Sequence, residues 1–398
     1  MRLNVKISPD GLPISWPSWQ STFMIPILLA LPWAGIIAFL LLVVRPAREL
    51  PVIMALPRER APSVGVILPA RDEAMNIEAC LASLTKSSYP DFEIIVVDDR
   101  SDDETAELAR AISPGNAKRL VVIDGEELPQ GWLGKAWACQ QGTRATSAQL
   151  LLFADADTTH GEALLGRSVT ELQKEGADLL NVLGFQLMES FWERLVQPQI
   201  FMAVLFRYPG LDSRWEGGLA NGQFMLMPRN SYEAIGGHES VRDRVLEDIA
   251  LAQVVKRHGR TFISRMAMDH LTTRMYRSLG GLIAGWSRLI QVGALQGQPL
   301  VPPFGVVTLA SLCLWIAPPL MLISALAGFG GETLLIWSAL ICALSFCIHA
   351  AFLHFLGGPA YYAVFYPLGS LVVVYIMIRS KVRAGDVEWK GRRYAVSN

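Results

Sequence analysis

Long apolar stretches at both ends of the chain enclose a central region in which apolar and polar positions alternate every few residues. No Asp, Glu, Lys or Arg occurs from Gly11 to Val44, from Leu289 to Gly331 or from Thr333 to Ile378. A helix needs about 20 apolar residues to cross the hydrocarbon core of a bilayer. The pattern therefore predicts membrane segments at both ends and a water-facing domain between them.

This pattern divides the chain into six segments. They are an N-terminal extension (1–22), a transmembrane anchor (23–44), a cytosolic domain (45–279), an interfacial helix (280–300), a C-terminal transmembrane bundle (301–378) and a basic tail (379–398). The bundle divides into three predicted spans, namely Phe304–Phe329, Thr333–Leu356 and Ala360–Ile378.

Basic residues predict the orientation of the chain in the membrane. Arg45, Arg48, Arg58 and Arg60 closely follow the anchor, so the positive-inside rule places the central domain in the cytoplasm. We therefore expect a multi-pass protein of the inner, or cytoplasmic, membrane. Three further crossings would put the tail outside the cell. This conflicts with the basic residues of the tail, which the positive-inside rule places in the cytoplasm. Either one segment is re-entrant or an extra hairpin forms at Pro318-Pro319.

The central region reads as alternating strands and helices. Val64–Leu68 and Phe92–Val97 are short apolar runs typical of buried strands, and Asn76–Leu84 and Asp102–Ala111 have the period of amphipathic helices. Such alternation predicts βαβ units and a mainly parallel sheet, hence an α/β fold. Ligands of these sheets bind beyond the carboxyl ends of the strands.

Polar clusters follow three of the predicted strands. They are Pro69-Ala70-Arg71-Asp72-Glu73, then Asp98-Asp99-Arg100-Ser101-Asp102-Asp103, and finally Asp155-Ala156-Asp157. None of them matches the glycine pattern of a dinucleotide site or a P-loop. Side chains two residues apart in an extended segment share one face, so Asp155 and Asp157 are predicted to hold one hard cation. Oxygen ligands suit Mg²⁺ or Mn²⁺, which would neutralise charge on a leaving diphosphate.

Two further positions are predicted to meet the same cavity. Lys135 follows Gly134 at a helix start, where backbone amides and an ammonium group attract phosphate. Glu247 and Asp248 open another helix, and acids there often only cap the helix. Asp248 is a general-base candidate if it faces the cation.

Composition narrows the function classes. Of 398 residues, 18% are charged, compared with about 25% in soluble domains. Lys and Arg number 35 and Asp and Glu 36, so the basic excess of a nucleic-acid-binding protein is missing. The five cysteines form no C-x-x-C pair, which indicates neither a zinc site nor a disulfide framework.

In this order, the motifs resemble those of family 2 glycosyltransferases with a GT-A fold, over about residues 60 to 290. The resemblance rests on the three polar clusters, Gly134-Lys135, Gly222-Gln223, Tyr232, Gly236-Gly237 and Glu247-Asp248. Glu189-Ser190-Phe191-Trp192-Glu193-Arg194 and Glu388-Trp389-Lys390-Gly391-Arg392-Arg393-Tyr394 look most like hopanoid-associated and carotenoid-type transferases.

The resemblance implies a set of site residues. Pro69, Ala70, Arg71 and Glu73 would form the nucleotide pocket together with Asp72, and Asp99 with Asp98 would hold the base, often uracil. Lys135 would support the phosphates, Asp155 and Asp157 would bind metal and diphosphate, and Asp248, beside Glu247, would deprotonate the acceptor.

The resemblance also implies the reaction. We expect inverting, metal-dependent transfer of one sugar from a nucleotide sugar, expected to be a UDP-sugar, to a lipid hydroxyl at the cytoplasmic face. The Q-x-x-R-W signature of processive members is absent, and Gly285-Trp286-Ser287-Arg288 stands in the corresponding stretch. Arg274, Arg277 and Arg288 could contact diphosphate or lipid headgroups. The alternatives are a polyprenyl-phosphate sugar synthase and a non-enzymatic membrane scaffold that binds nucleotide.

Overall fold

The computed structural model describes residues 18–42, 48–51, 61–208, 220–382, 386–389 and 392–395. Side chains are described for residues 30–42, 49–51, 61–208 and 220–382. Most of the predicted N-terminal extension, Arg45, Arg58, Arg60 and much of the basic tail lie outside these ranges. The orientation argument built on them remains a prediction.

An eight-stranded sheet forms the centre of the water-facing domain. Its strands run in the order β1-β10-β7-β9-β5-β2-β3-β4, and only β9 pairs antiparallel with its neighbours. The strands are β1 (Arg48–Glu49), β2 (Val64–Ala70), β3 (Phe92–Asp98), β4 (Leu120–Asp124), β5 (Leu150–Ala154), β7 (Leu179–Leu183), β9 (Phe224–Pro228) and β10 (Phe262–Met266). The predicted α/β architecture with a mainly parallel sheet is confirmed.

Helices cover both faces of this sheet, which explains why its strands are continuous apolar runs rather than alternating ones. All seven residues of β2 are buried or nearly so. The covering helices are α2 (Ile77–Leu84), α3 (Thr105–Ala111), α4 (Gly134–Arg144), α5 (Leu164–Glu175), α7 (Arg229–Ala234) and α8 (Glu247–Arg257). The predicted elements of this region agree with these within a few residues at each end.

A smaller sheet adjoins the carboxyl ends of the main strands. Its order is β6-β11-β8, with β6 (Thr158–His160), β8 (Phe185–Gln186) and β11 (Leu271–Thr273). Thr273 of β11 pairs with Thr158 on one side and with Gln186 on the other. This sheet fixes the chain that follows Asp155–Asp157.

Three helical segments are long and apolar enough to cross a membrane among the residues that the structure describes. They are Phe304–Leu326, Gly331–Phe355 and Ala360–Val382. These agree with the three predicted spans and indicate membrane association. They comprise α10 (Phe304–Ala310), a π-helical turn, α11 (Ala317–Leu326), α12 (Gly331–Phe355), a 3₁₀ turn (Ala360–Phe365) and α13 (Tyr366–Val382).

The predicted anchor is helical as well. Helix α1 spans Ser18–Leu42, and the indole nitrogen of Trp33 donates to the Ser345 hydroxyl of α12 across 2.8 Å. The chain ends in a hairpin of β12 (Asp386–Trp389) and β13 (Arg392–Ala395).

Two helices join the sheet domain to the apolar bundle, namely α6 (Phe191–Arg207) and α9 (Leu279–Leu295). A capping box begins α6, because Ser190 accepts from the Glu193 amide and Glu193 accepts from the Ser190 amide. In the middle of α6, Gln199 donates to the Tyr366 carbonyl (2.9 Å) and accepts from the Ser370 hydroxyl (2.7 Å), both on α13. Helix α6 is thereby hydrogen-bonded directly to a candidate membrane helix.

Candidate active site

One cavity of about 590 Å³ opens at the carboxyl ends of the central strands. Most of the predicted site residues line it, although they are distributed over almost two hundred residues of sequence. Those that line it are Pro69, Ala70, Arg71, Asp72, Glu73, Asp99, Lys135, Asp155, Asp157, Glu247 and Asp248. The strand-end positions therefore converge as the parallel sheet predicts.

Asp98 is the predicted site residue that does not line this cavity. Its carboxylate accepts hydrogen bonds from the Ser101 hydroxyl (2.5 Å) and amide (3.3 Å). Asp98 therefore shapes the loop after β3, and the side chain that this loop presents to the cavity is that of Asp99. A contact between Asp98 and the nucleotide remains a prediction.

Each of the loops after β2 and β3 contains a residue in a backbone conformation that residues other than glycine seldom adopt. Asp72 and Arg100 both have positive φ angles, 50° and 58°. Arg71 fastens the two loops together, because its guanidinium donates to the backbone carbonyls of Asp99 (2.6 Å) and Arg100 (2.8 Å). Such backbone strain is typical of ligand-binding loops.

Lys135 is at the centre of the acidic cluster. Its ammonium nitrogen lies 2.7 Å from Asp155 Oδ1 and 2.6 Å from Glu247 Oε1. Burial alone would lower the pKa of Lys135, but the negative charges of Asp155, Glu247 and Asp248 outweigh burial, and the pKa is raised well above its usual value. Lys135 is therefore protonated at neutral pH and bridges Asp155, directly after β5, to Glu247 at the start of α8.

Asp248 has an unusual protonation equilibrium. Burial and the charge of Glu247 raise its pKa, Lys135 opposes them, and the resulting pKa is about 7. The backbone amide of Ile249 donates to Asp248 Oδ1 across 2.7 Å. A carboxylate with a pKa near neutrality and a position on the cavity wall has the properties of a general base.

The three arginines suggested as anion contacts differ in their surroundings. Arg274 is held by Glu193 (2.9 and 3.0 Å) and by Glu189 (2.5 Å), so it braces the start of α6. Arg277 donates to the Asn76 side chain across 3.0 Å and closes one side of the cavity. Arg288 lines the cavity beside Tyr276, and burial lowers its pKa.

The part of the cavity lining that helices α6 and α9 contribute is mostly apolar, and we call it the apolar wall. It is formed by Phe201 and Val204 of α6, by Trp286 and Leu289 of α9, and by Leu300. The rings of Phe201 and Trp286 meet edge to face with centroids 5.8 Å apart. A mixture of apolar and basic residues, visible in the sequence, is common to α6 and α9.

The fold and the site together define a sugar-transferring enzyme. Residues 65–236 match the family model described as glycosyl transferase family 2. The chain therefore carries a family 2 glycosyltransferase domain in a GT-A fold, and it is a glycosyltransferase. The family match favours this class over the alternative of a non-enzymatic scaffold.

Curated relatives resemble almost the whole chain. The 4,4'-diaponeurosporenoate glycosyltransferase of Staphylococcus aureus strain MRSA252 is 28% identical over 346 residues, covering 83% of this chain and 88% of the relative. The enzyme of the same name from strain bovine RF122 / ET3-1 is 27% identical, covering 84% and 89%. The similarity thus extends beyond the family 2 domain.

Two solved structures are similar in outline. The mannosyltransferase PcManGT from Pyrobaculum calidifontis, in complex with GDP-Man and Mn²⁺, has 18% identity and a TM-score of 0.49, covering 92% of this chain and 96% of that one. Glucosyl-3-phosphoglycerate synthase from Mycobacterium tuberculosis, with Mn²⁺, UDP and glucosyl-3-phosphoglycerate, has 19% identity and a TM-score of 0.42, covering 65% and 89%. The fold assignment above rests on the family match and the sheet.

Proposed function

We propose that this protein transfers a single sugar, with inversion, from a nucleotide diphosphate sugar to a lipid acceptor at the cytoplasmic membrane surface. The observation that carries the proposal is one cavity whose lining has a charged part and an apolar part. One part holds Lys135, Asp155, Asp157 and Asp248, and the other is built by helices α6 and α9. A charged donor and an apolar acceptor would meet between these parts.

The carboxylates suit a divalent cation that binds together with its substrate. The described part of the chain contains no group of three or more His, Cys, Asp or Glu side chains that could hold a metal. Mg²⁺, by contrast, is usually bound through one or two carboxylates plus substrate phosphates and water. Asp155 and Asp157 fit this requirement, and an ion bound there would neutralise charge on the departing diphosphate.

The residues of the chain have separate tasks in this proposal. The acceptor oxygen forms the new bond to the anomeric carbon, the bond to the diphosphate oxygen breaks, and its electron pair leaves with the diphosphate. Asp248 takes the proton from an acceptor hydroxyl. Asp99 and the loop from Pro69 to Glu73 hold the nucleotide.

The acceptor class follows from the apolar wall and from the relatives. A wall continuous with the membrane-contacting helices suits a long apolar molecule with one reactive oxygen group. The curated relatives are named for a carotenoid acid, 4,4'-diaponeurosporenoate, and we include acids of this type beside lipid alcohols. A polyprenyl phosphate is the competing acceptor.

The test is an incorporation assay with the full chain in detergent or native membranes. Radiolabelled UDP- and GDP-sugars are supplied with Mn²⁺, and the lipid extract is separated into alcohols, acids and phosphates. We expect Mn²⁺-dependent label in a lipid alcohol or acid, which Asp157→Asn abolishes. Label confined to water-soluble products would contradict the proposal, and label in polyprenyl phosphate would establish the competing acceptor.

A further inference from the structure

Three carboxamide side chains line the cavity with an unused hydrogen-bonding atom. The side-chain oxygens of Gln186, Asn221 and Gln223 are buried and accept no hydrogen bond from any residue that the structure describes. Gln223 is 7% exposed. A buried polar group left without a partner costs about 1–3 kcal/mol, and such groups are rare in folded proteins. Three of them around one cavity indicate a ligand that supplies hydrogen bonds.

Strand register places Gln223 beside the predicted metal-binding loop. Phe224 of β9 pairs with Ala154 of β5 in the antiparallel ladder, so Gln223 and Asp155 come next at the same edge. Gly222 confirms the closeness, because a Cβ atom added to it would lie 3.1 Å from both carboxylate oxygens of Asp155. Gln223 therefore lies next to Asp155 in the lining of the cavity.

Gln186 approaches the same loop from the smaller sheet. Gln186 pairs with Thr273, and Thr273 pairs with Thr158, so these three residues form one row across the sheet. Thr158 directly follows Asp157. Gln186 is thereby held two strands away from the loop that contains Asp155 and Asp157.

Asn221 is positioned through its backbone. Its amide donates to the side-chain oxygen of Asn181, which is completely buried in β7, across 3.2 Å. The turn before β9 is thus anchored, and the side chain of Asn221 is left to line the cavity. The three carboxamides thus line the cavity from two elements of the fold, namely the turn before β9 and strand β8.

The hydrogen-bonding capacity of the three carboxamides indicates which part of the donor they contact. A carboxamide oxygen accepts hydrogen bonds, which a diphosphate cannot supply and a hydroxyl can. A hydroxyl also accepts, so it satisfies either end of a carboxamide. Between the diphosphate and the apolar acceptor, the hydroxyl-rich group of a nucleotide sugar is the transferred sugar itself.

We propose that Gln186, Asn221 and Gln223 form the subsite that recognises hydroxyl groups of the transferred sugar and so determines sugar specificity. This proposal rests on the proposed function. The expected ligand is a pyranose with hydroxyl groups on more than one edge. Binding of the nucleoside diphosphate without sugar is independent of these side chains.

The first test exploits the unused oxygen of Gln223. Gln223→Met keeps the side-chain length and removes the carboxamide, and replacing an unpartnered polar group by an apolar one is nearly neutral or stabilising. We expect an unchanged or higher Tm, about a tenfold lower kcat/KM with the nucleotide sugar, and unchanged affinity for UDP and GDP by calorimetry. Gln173→Met, on the exposed face of α5, is the matched control and should change none of these.

A lower Tm together with weaker UDP and GDP binding in Gln223→Met would show a structural role and overturn the proposal. The second test uses donor analogues that each lack one hydroxyl. In the wild type, at least one deletion should lower kcat/KM about tenfold, and the same deletion should have little further effect in Gln223→Met, Gln186→Met or Asn221→Leu.

If each analogue lowers kcat/KM by the same factor in the wild type and in the variants, the subsite assignment is wrong while the transferase proposal stands. Conversely, a chain that binds neither UDP nor GDP with Mn²⁺, and labels no lipid, would refute the proposed function itself. The two failures are therefore distinguishable.

Discussion

Gly222 lies so close to Lys135 that a Cβ atom added to it would be 2.5 Å from the ammonium nitrogen. Gly222→Ala should therefore displace Lys135 from Asp155. We expect turnover to fall by about tenfold or more, equivalent to one charged hydrogen bond, while the fold is retained. Steady-state kinetics and thermal unfolding test this. Gly280→Ala is the control, because its added methyl group meets no atom within 4 Å; equal activity loss in both variants would contradict the argument.

Asp248 is expected to control the pH dependence of transfer to a hydroxyl acceptor. Its pKa of about 7 means that the proton-accepting form is lost as the pH falls below 7, so kcat/KM should decline on the acidic side. Asp248→Asn should lower turnover by about 10²–10⁴-fold and retain donor binding. An acceptor that is already a carboxylate needs no base, so with such an acceptor the loss should be much smaller. Near-normal turnover of Asp248→Asn with an alcohol would disprove the base assignment.

The same carboxyl group predicts an effect on stability. A carboxyl whose folded-state pKa is raised destabilises the fold when ionised; this penalty is absent below the unfolded pKa of about 3.9 and complete above about pH 7. The Tm of Asp248→Asn relative to wild type should therefore be higher at pH 8 than at pH 5. A Tm difference that does not change with pH would mean that Asp248 is not protonated near neutrality.

Arg274 is predicted to stabilise the start of α6 rather than to bind substrate. Burial alone would raise the pKa of Glu193, but hydrogen bonds from Arg274 and Ser190 lower it below its usual value. This stabilisation is present above the unfolded pKa and is lost as the pH falls through the folded one. Arg274→Gln should cost about 3 kcal/mol at pH 7, and the cost should shrink in acid. Arg110→Gln, which removes an exposed pair with Asp124, should cost less than about 1 kcal/mol.

The apolar wall predicts where acceptor binding can be blocked selectively. Val204→Phe adds volume at the cavity surface, so the KM for the lipid acceptor should rise several-fold while UDP binding is unchanged. Val306→Phe, at an exposed position of α10, should leave both unchanged. A loss of UDP affinity in Val204→Phe would place this wall on the donor side instead.

Strand ends could be found in the sequence because a parallel sheet brings them to one edge. This logic united Asp99 and Asp155, whereas Lys135 and Asp248 were found as helix starts and the three membrane helices as long apolar runs. The hydrogen bonds that Asp98 accepts from Ser101 depend on the loop conformation and could not be found in this way. The sequence alone did not reveal whether Arg274 contacts a substrate or stabilises the fold, because its partner Glu193 lies 81 residues away. Gln223 stood out in the sequence only as part of the Gly222-Gln223 motif, and Gln186 and Asn221 did not stand out, because an unpartnered oxygen can be recognised only in three dimensions.

The crossing of α6 over α13 limits how the enzyme can be handled. Gln199 bonds two groups of α13, and a methyl group on Gly369 would collide with Gln199 and the Leu195 carbonyl. Cutting the chain before the apolar bundle would uncover this face of α6, only two residues from Phe201 of the apolar wall. A truncated, water-soluble version should therefore aggregate and lose its acceptor wall, whereas solubilisation of the entire polypeptide in mild surfactant should preserve both.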